Sequence, residues 1–189
     1  PEMLDLGRFY TLRLGEKLMT NPPSASFREL ASGVQVLGGT GFDVRGVIQL
    51  DETNPVTIPI GRACQRLHFL HAASQAAGGI RGPAGRYQVT YASGKKDDVQ
   101  LQNPDDVPPY SAQGFHAVST TARAGRLPGL RCALAWSGCL PIAGGRKEPL
   151  FLTRTTWGLP TNRWSEVIET LDLRALSKSG LLVFAITVE

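Results

Sequence analysis

A short run of glycines is the first feature of this sequence that could hold a ligand. Residues 34–41 read VQVLGGTG. A strand followed by such glycines binds a dinucleotide pyrophosphate when a helix begins directly after them. Here FDVRGVIQL follows instead, which alternates with the period of a strand, and Pro55 would stop a helix further on. The glycines therefore predict a turn between two strands.

Two histidines and one cysteine are the side chains most able to bind a metal ion or act as a nucleophile. His68 and His71 lie in the sequence RLHFLHA, three positions apart. On a strand such residues point to opposite faces, so they cannot share a metal ion. We expect His71 to hydrogen-bond loop backbone; a metal site built from distant residues, including His116, is the alternative. Cys64 with a histidine could form a nucleophile pair, but the sequence has no GxSxG elbow.

Acidic turns are the remaining candidates for binding an ion. Asp51, Glu52 and Asn54 share one turn, and Asp97 and Asp98 are a pair that follows another. Their oxygen atoms are ligands of the kind that Ca²⁺ prefers, but neither set follows the spacing of an EF-hand loop. The sequence therefore predicts no cofactor, with a structural calcium ion as the alternative.

The cysteine count leaves the redox state open. Cys64, Cys132 and Cys139 are three in number, so they cannot all pair within the chain. One disulfide, between Cys132 and Cys139, is one alternative. The other is that Cys132, which falls on an apolar strand face, is buried as a small hydrophobic residue.

Aromatic residues beside turns are the candidates for ligand contact. Trp157 and Trp164 flank the sequence GLPTNR, and aromatics on such a loop can stack on a sugar ring or anchor a protein. We expect Trp157 in the core, whereas Trp164 either contacts a ligand or caps the end of the fold. Tyr110 follows two prolines and is predicted to be exposed. Asn162 and Arg163 could hydrogen-bond sugar hydroxyls.

The elements that must position these residues are strands. The chain has 189 residues, which suits one domain, and its 21 Gly and 13 Pro lie between apolar runs, as is typical of all-β proteins. Strands are predicted at 34–37, 42–50, 56–60, 66–73, 86–91, 95–101, 115–119, 130–136, 150–156, 166–173 and 181–188. The prediction is a single antiparallel β-sandwich of about ten strands over residues 1–189, with an N-terminal segment 1–23, an irregular loop region 103–129 and little helix.

Alternation also predicts which side chains point inward. Residues 66–73 are apolar almost throughout, which predicts a central strand covered on both faces. Two further inward sets are expected on residues 42–50 and 130–136. They are Phe42, Val44, Gly46, Ile48 and Leu50, and Leu130, Cys132, Leu134 and Trp136.

The net charge of +4 comes mainly from residues 121–163, which contain seven basic residues and a single acidic residue, Glu148. Such a region could meet an anionic polymer, a membrane surface or an acidic protein, or it is simply solvated. Aromatics do not interleave with the basic residues, so no specific nucleic-acid partner is predicted. No apolar run reaches the length of a transmembrane helix. The start at Pro1 is interpreted as a processed or truncated end, and an extracytoplasmic location is favoured.

The order of these segments resembles a known family. LHFLHA followed by the hairpin GxYxVxYAxG is its most specific part, and the likeness spans about residues 4–189. The chain resembles a little-characterised bacterial domain of galactose-binding-like, jelly-roll fold that occurs beside hydrolase or signalling modules. The resemblance implies a jelly-roll β-sandwich similar to carbohydrate-binding modules.

Three functional hypotheses follow. The first is a non-catalytic binding module whose ligand is a glycan, read by Trp164, Tyr110, Asn162, Arg163 and Trp157 at the ends of the sandwich. The second is a protein-interaction subunit that docks on a larger assembly, which could be membrane-associated. The third is a hydrolase, for which the sequence offers no recognisable set of catalytic residues.

Overall fold

The computed structural model describes residues 1–18, 26–74, 82–103, 105–111, 130–141, 147–176 and 180–189. The strands in that part of the chain are β1 Glu2–Met3, β2 Leu12–Arg13, β3 Gly33–Leu37, β4 Thr40–Val44, β5 Gly46–Leu50, β6 Val56–Arg62, β7 Arg66–Ala73, β8 Gly82–Tyr91, β9 Lys96–Asn103, β10 Leu130–Pro141, β11 Lys147–Gly158, β12 Ile168–Ala175 and β13 Leu181–Val188. One 3₁₀ turn spans Thr161–Arg163, and the described residues include no helix that could cross a membrane. The all-β prediction is confirmed; the predicted strand at 115–119 lies outside the described residues.

The strands form two antiparallel sheets that pack face to face, together with a separate hairpin. The large sheet has the order β10-β11-β7-β13-β5-β2, with β1 also paired to β13. The small sheet has the order β6-β12-β8-β9, and β3 pairs with β4 alone. The architecture is therefore an all-β sandwich of antiparallel strands, as predicted.

The space between the two sheets holds the first apolar core, here called the inner core. Ile58, Tyr87 and Leu171 reach it from the small sheet, and Phe69 and Ile186 reach it from the large sheet. The rings of Phe69 and Tyr87 lie 4.5 Å apart between centroids. Because strand side chains alternate, the residues between these inward positions on the small sheet face solvent.

A second apolar cluster, the outer core, lies on the opposite face of the large sheet. Phe27, Phe42 and Tyr110 lie against Leu70 and Phe184 of that sheet. Full burial of one phenylalanine contributes about 1.5–3 kcal/mol, which holds the β3–β4 hairpin and the segment around residue 27 on the sheet. The two cores explain why β7 and β13 are apolar on both faces, as predicted for residues 66–73.

The predicted strand 42–50 is divided at Arg45 into β4 and β5. Phe42 and Val44 belong to the outer core, whereas Ile48 and Leu50 belong to the inner core. The predicted inward set is buried throughout, but it serves two cores instead of one. The division arises because β4 pairs with β3 and β5 pairs with β13.

The glycine run forms the turn between β3 and β4. Gly38 and Gly39 have φ values of 57° and 80°. Two successive residues with positive φ form the tight hairpin turn that suits the twist of paired strands, and glycine adopts it without strain. The next element is strand β4, so the helix that a dinucleotide site requires does not follow.

A bulge in β10 changes the predicted inward set of residues 130–136. The pairing with β11 shifts between Leu134 and Trp136, which leaves Ala135 unpaired. The bulge places Leu134 and Trp136 on opposite faces. Leu134 is 38% exposed, so its predicted burial is wrong, whereas Trp136 packs on Phe27 with ring centroids 5.9 Å apart.

The three cysteines are free thiols. Cys132 and Cys139 both lie on β10, so their separation along an extended strand is about 23 Å. A disulfide requires Cα atoms within about 7 Å of each other. The alternative of a disulfide between these two cysteines is therefore wrong. Cys132 is half-buried.

Candidate functional site

The loop between β11 and β12 carries three of the five predicted ligand residues. This loop, residues 159–167, is called here the 159–167 loop. Its base is fixed by a hydrogen bond from Leu159 N to Gln65 O, 2.9 Å long. At its other end Ala92 N donates to Val167 O over 2.8 Å. The loop therefore lies beside the turn between β8 and β9, at one end of the small sheet.

Trp164 is the exposed aromatic side chain of this loop. It is 40% exposed, and its Nε1 donates a hydrogen bond to Leu159 O over 3.0 Å. The internal bond satisfies the polar group of the indole and fixes the ring against the base of the loop. Asn162 is exposed in the adjoining 3₁₀ turn. Val167, which no sequence pattern distinguishes, is 42% exposed.

Arg163 is largely buried and holds the loop against the small sheet. Its Nε lies 3.0 Å from Oδ2 of Asp97, and its guanidinium carbon lies 5.1 Å from the centroid of the Tyr91 ring. The Tyr91 hydroxyl donates to the same carboxylate over 2.9 Å. Burial first, and then the Asp97 carboxylate, raises the pKa of Tyr91. The predicted contact of Arg163 with sugar hydroxyls stays a prediction, and its observed contacts are within the fold.

Glu166 adds a second attachment of the loop to the turn between β8 and β9. Its Oε2 accepts a hydrogen bond from Ser93 Oγ over 2.6 Å. Its Oε1 lies 3.8 Å from Lys95 Nζ and 4.0 Å from Arg163 Nη1. Ion pairs from Arg163 to Asp97 and from Glu166 to Lys95, together with the backbone bonds at its two ends, therefore attach the 159–167 loop to the β8–β9 hairpin and to Gln65.

Trp157 and Tyr110 are buried in the fold. Trp157 belongs to the inner core, as expected. Tyr110 is only 2% exposed and packs edge-on against Phe27 at 5.8 Å, so its predicted exposure is wrong. The reason is backbone pairing: Tyr110 N donates to Ala73 O, and Phe151 N donates to Tyr110 O over 2.8 Å. These bonds pin the segment after the prolines between β7 and β11.

The histidines point to opposite faces of β7, as predicted, and both are held by hydrogen bonds. His71 is completely buried, with Nδ1 2.8 Å from the Tyr87 hydroxyl and Nε2 2.7 Å from Thr155 Oγ1. His71 also makes the expected bond to loop backbone, at Asp106 in the loop after β9, and the two side-chain bonds add to it. Burial lowers the pKa of His71 to about 3. His68 contacts Glu189 Oε2 at 3.0 Å.

The candidate metal ligands among the described residues are scattered over the fold, and the candidate nucleophile, Cys64, is buried. Across the ranges that the structure covers, no three His, Cys, Asp or Glu side chains are grouped as a metal site, and His116 lies outside those ranges. Burial raises the pKa of Cys64 and of Cys132 to about 11. Both side chains are therefore protonated thiols at neutral pH, which are poor nucleophiles.

The acidic residues considered for calcium stabilise turns and ion pairs. Oδ1 of Asp51 accepts hydrogen bonds from the backbone N of Thr53 and Asn54 at 2.7 and 2.9 Å. The hydroxyl of Thr53 and the amide of Asn54 also donate to this carboxylate, and these bonds lower its pKa to about 2. Asp97 pairs with Arg163, and Asp98 pairs with Arg86 at 3.1 Å.

The basic region 121–163 is partly used inside the fold. Nη1 of Arg154 donates to Gly38 O and to Thr40 Oγ1, which anchors the β3–β4 hairpin to the large sheet. Arg163 is bound to Asp97, and Arg131 is exposed. The remaining arginines of the region lie outside the described residues.

The 159–167 loop presents one exposed indole and one exposed carboxamide on a fixed backbone. An indole ring can stack on a flat apolar surface, and a carboxamide both donates and accepts hydrogen bonds. No family model, no curated protein and no solved structure matches this chain.

Proposed function

We propose that this chain is a non-catalytic binding module for a glycan, with Trp164 and Asn162 as the residues that contact the sugar. The observation that carries the proposal is the exposed indole of Trp164, whose N–H is already bonded to Leu159 O. Because its polar group is satisfied internally, the side chain offers a ligand its ring alone. A pyranose presents apolar C–H groups on one face, which suits such a ring, and the resemblance to jelly-roll carbohydrate-binding domains supports this ligand class.

Rigidity of the loop supports binding without rearrangement. Leu159 and Arg163 attach the 159–167 loop to Gln65 and Asp97 before Trp164, and Glu166 attaches it to Ser93 after Trp164. A side chain that is fixed before binding loses little conformational entropy when the ligand arrives, so more of the contact energy appears as affinity.

The protonation states of the buried groups favour binding over catalysis. His71 is neutral at neutral pH and has no exposed surface, and Cys64 and Cys132 are protonated thiols. General base and nucleophile roles require groups that titrate near neutral pH and reach the substrate.

A glycan array followed by calorimetry tests the proposal. The intact protein should bind a defined set of glycans, and Trp164→Ala should weaken the binding of the best of them by about tenfold or more. Val167→Ala is the matched control, because it removes an exposed apolar side chain from the same loop and should retain the affinity. The proposal fails if the intact protein binds no glycan, or if both variants bind as the intact protein does.

A second function, docking on a protein partner, is favoured by β3. Val34 and Val36 are 68% and 75% exposed on one face of this strand, which pairs only with β4 in the part of the chain that the structure describes. An exposed apolar edge strand is a template for pairing with another chain. Co-purification of a stoichiometric partner that is lost in Val36→Lys would support docking. Recovery of a lone monomer from the native source would contradict it.

A further inference from the structure

The outer face of the small sheet contains a polar groove of about 330 Å³. The groove lies on this face because side chains alternate along β12. Leu171 and Leu173 point into the inner core, so Asp172 and Arg174 face solvent. A volume of this size falls in the range of small-ligand sites. The residues that line the groove are Pro55, Thr57, Arg86, Gln88, Asp172, Arg174 and Leu176.

Two arginines lie directly opposite each other in this groove. Arg174 of β12 pairs in register with Arg86 of β8, so their Cβ atoms are about 5 Å apart on one face. Like charges in this arrangement repel each other. Nε of Arg86 lies 3.1 Å from Asp98, whereas no carboxylate of the described residues lies within salt-bridge distance of Arg174. Within the described residues, the groove therefore holds one guanidinium without an ion pair, that of Arg174, and a second, that of Arg86, which is paired through Nε.

The side chains beside the two arginines can hydrogen-bond the hydroxyl groups of a ligand. Asp172 pairs in register with Gln88 on one side and with Thr57 on the other, which places all three on the face that carries the arginines. The Thr57 hydroxyl donates to Oδ1 of Asp172. The second carboxylate oxygen and the Gln88 amide make no hydrogen bond to a described side chain. Together they offer acceptors and donors of the kind that bind a polyol.

We propose that this groove binds an acidic sugar residue, with its carboxylate or sulfate group on Arg174 and Arg86 and its hydroxyls on Gln88 and Asp172. The guanidinium fork matches the geometry of a carboxylate and can bind it through two parallel hydrogen bonds. The carboxylate of Asp172 disfavours a densely charged polyanion at the same place. None of the described residues that line the groove is aromatic, so they offer a nucleic-acid base no stacking surface.

This site is independent of the 159–167 loop. Trp164 precedes the first residue of β12, and Arg174 lies near the last. The distance from Ile168 to Arg174 along an extended strand is about 20 Å. Loss of Trp164 should therefore leave binding in the groove intact, and failure of one site is distinguishable from failure of the other.

Calorimetry with trigalacturonate, a short uronic-acid oligomer, tests the inference. The intact protein should bind it, and binding should weaken as the salt concentration rises. The methyl ester of the same oligomer lacks the charge and should bind about tenfold more weakly or not at all. A sulfated galactan oligomer distinguishes sulfate from carboxylate. Tighter binding of either charged oligomer than of the methyl ester supports the site.

Three variants locate the binding. Arg174→Ala should weaken trigalacturonate binding about tenfold or more without lowering the melting temperature, because it relieves the repulsion from Arg86. Arg28→Ala removes an equal charge from another exposed position and should bind as the intact protein does. Trp164→Ala should also bind normally.

Four results would overturn the inference. They are no binding of either acidic oligomer, equal binding of the ester, unchanged binding by Arg174→Ala, and equal affinity for poly-aspartate, which would indicate an acidic peptide instead of a sugar.

Discussion

Acidification should destabilise the protein through one buried side chain, His71. Its imidazole lies in the inner core between the hydroxyls of Tyr87 and Thr155, and burial lowers its pKa to about 3. In the unfolded chain a histidine has a pKa of about 6.5. Between these two pKa values the unfolded state binds a proton that the folded state excludes. The stability is therefore complete above about pH 6.5 and is lost progressively as the pH falls towards 3.

The magnitude follows from the same two pKa values. The free energy of unfolding should fall by about 1.4 kcal/mol for each pH unit below 6.5. At about pH 5 the contribution of His71 is a loss of about 2 kcal/mol relative to neutral pH. Most globular domains are stable by only about 5–15 kcal/mol, so a change of this size is readily measured.

Urea unfolding followed by tryptophan fluorescence at neutral pH and at about pH 5 measures this loss. The control is His71→Gln, which retains an amide for hydrogen bonding but does not titrate. Burial also lowers the pKa of His68, but that group titrates in both proteins and cancels in their difference. Parallel pH dependence in the two proteins would refute the reasoning, as would an imidazole pKa near 6.5 for His71 by NMR.

Three further predictions concern packing, redox state and the attachment of the loop. Gly85→Ala should lower the free energy of unfolding by about 1–3 kcal/mol, because the new Cβ would lie 2.8 Å from the backbone oxygen of Arg174. Gly41→Ala is the control: its Cβ would meet nothing within 4 Å, so urea unfolding should show a smaller loss of stability. All three cysteines should react as thiols in the unfolded chain without reductant, and a shortfall of two would reveal a disulfide. Arg163→Met should cost about 1.5–3 kcal/mol in thermal or urea unfolding because Asp97 loses its cationic partner and keeps only the Tyr91 hydroxyl, and an unchanged stability would contradict the attachment.

Apolar runs and alternation in the sequence were sufficient to predict most of the strands, although not β1 and β2. The apolar run over residues 66–73 predicted a strand covered on both faces, and alternation over residues 42–50 predicted a set of side chains that are buried. Alternation could not show that Phe42 and Leu50 belong to different cores. A period of two shows which side chains share one face of a strand, but not which residues pack against that face. The burial of Leu134 was predicted wrongly for a related reason: a bulge shifts the alternation by one residue without a clear local signal.

The candidate site was harder to predict because it depends on contacts between distant segments. Trp164 was identified from its loop, and the structure places it at the surface. Tyr110 was expected to be exposed as a further ligand contact, but backbone bonds to Ala73 and Phe151 bury it. The groove on the small sheet was missed entirely, because Arg86 and Arg174 become neighbours only when β8 pairs with β12.

NMR of the tryptophan side chains is the most direct test of the claim that this protein binds a glycan through Trp164. On addition of the best glycan from the array, the ring protons of Trp164 should shift, while those of Trp157 in the inner core should not. The Nε1 proton of Trp164 should remain bonded to Leu159 O, because the sugar contacts the ring alone. Shifts at Trp157 without shifts at Trp164, or no shift at either ring under saturating glycan, would contradict the account.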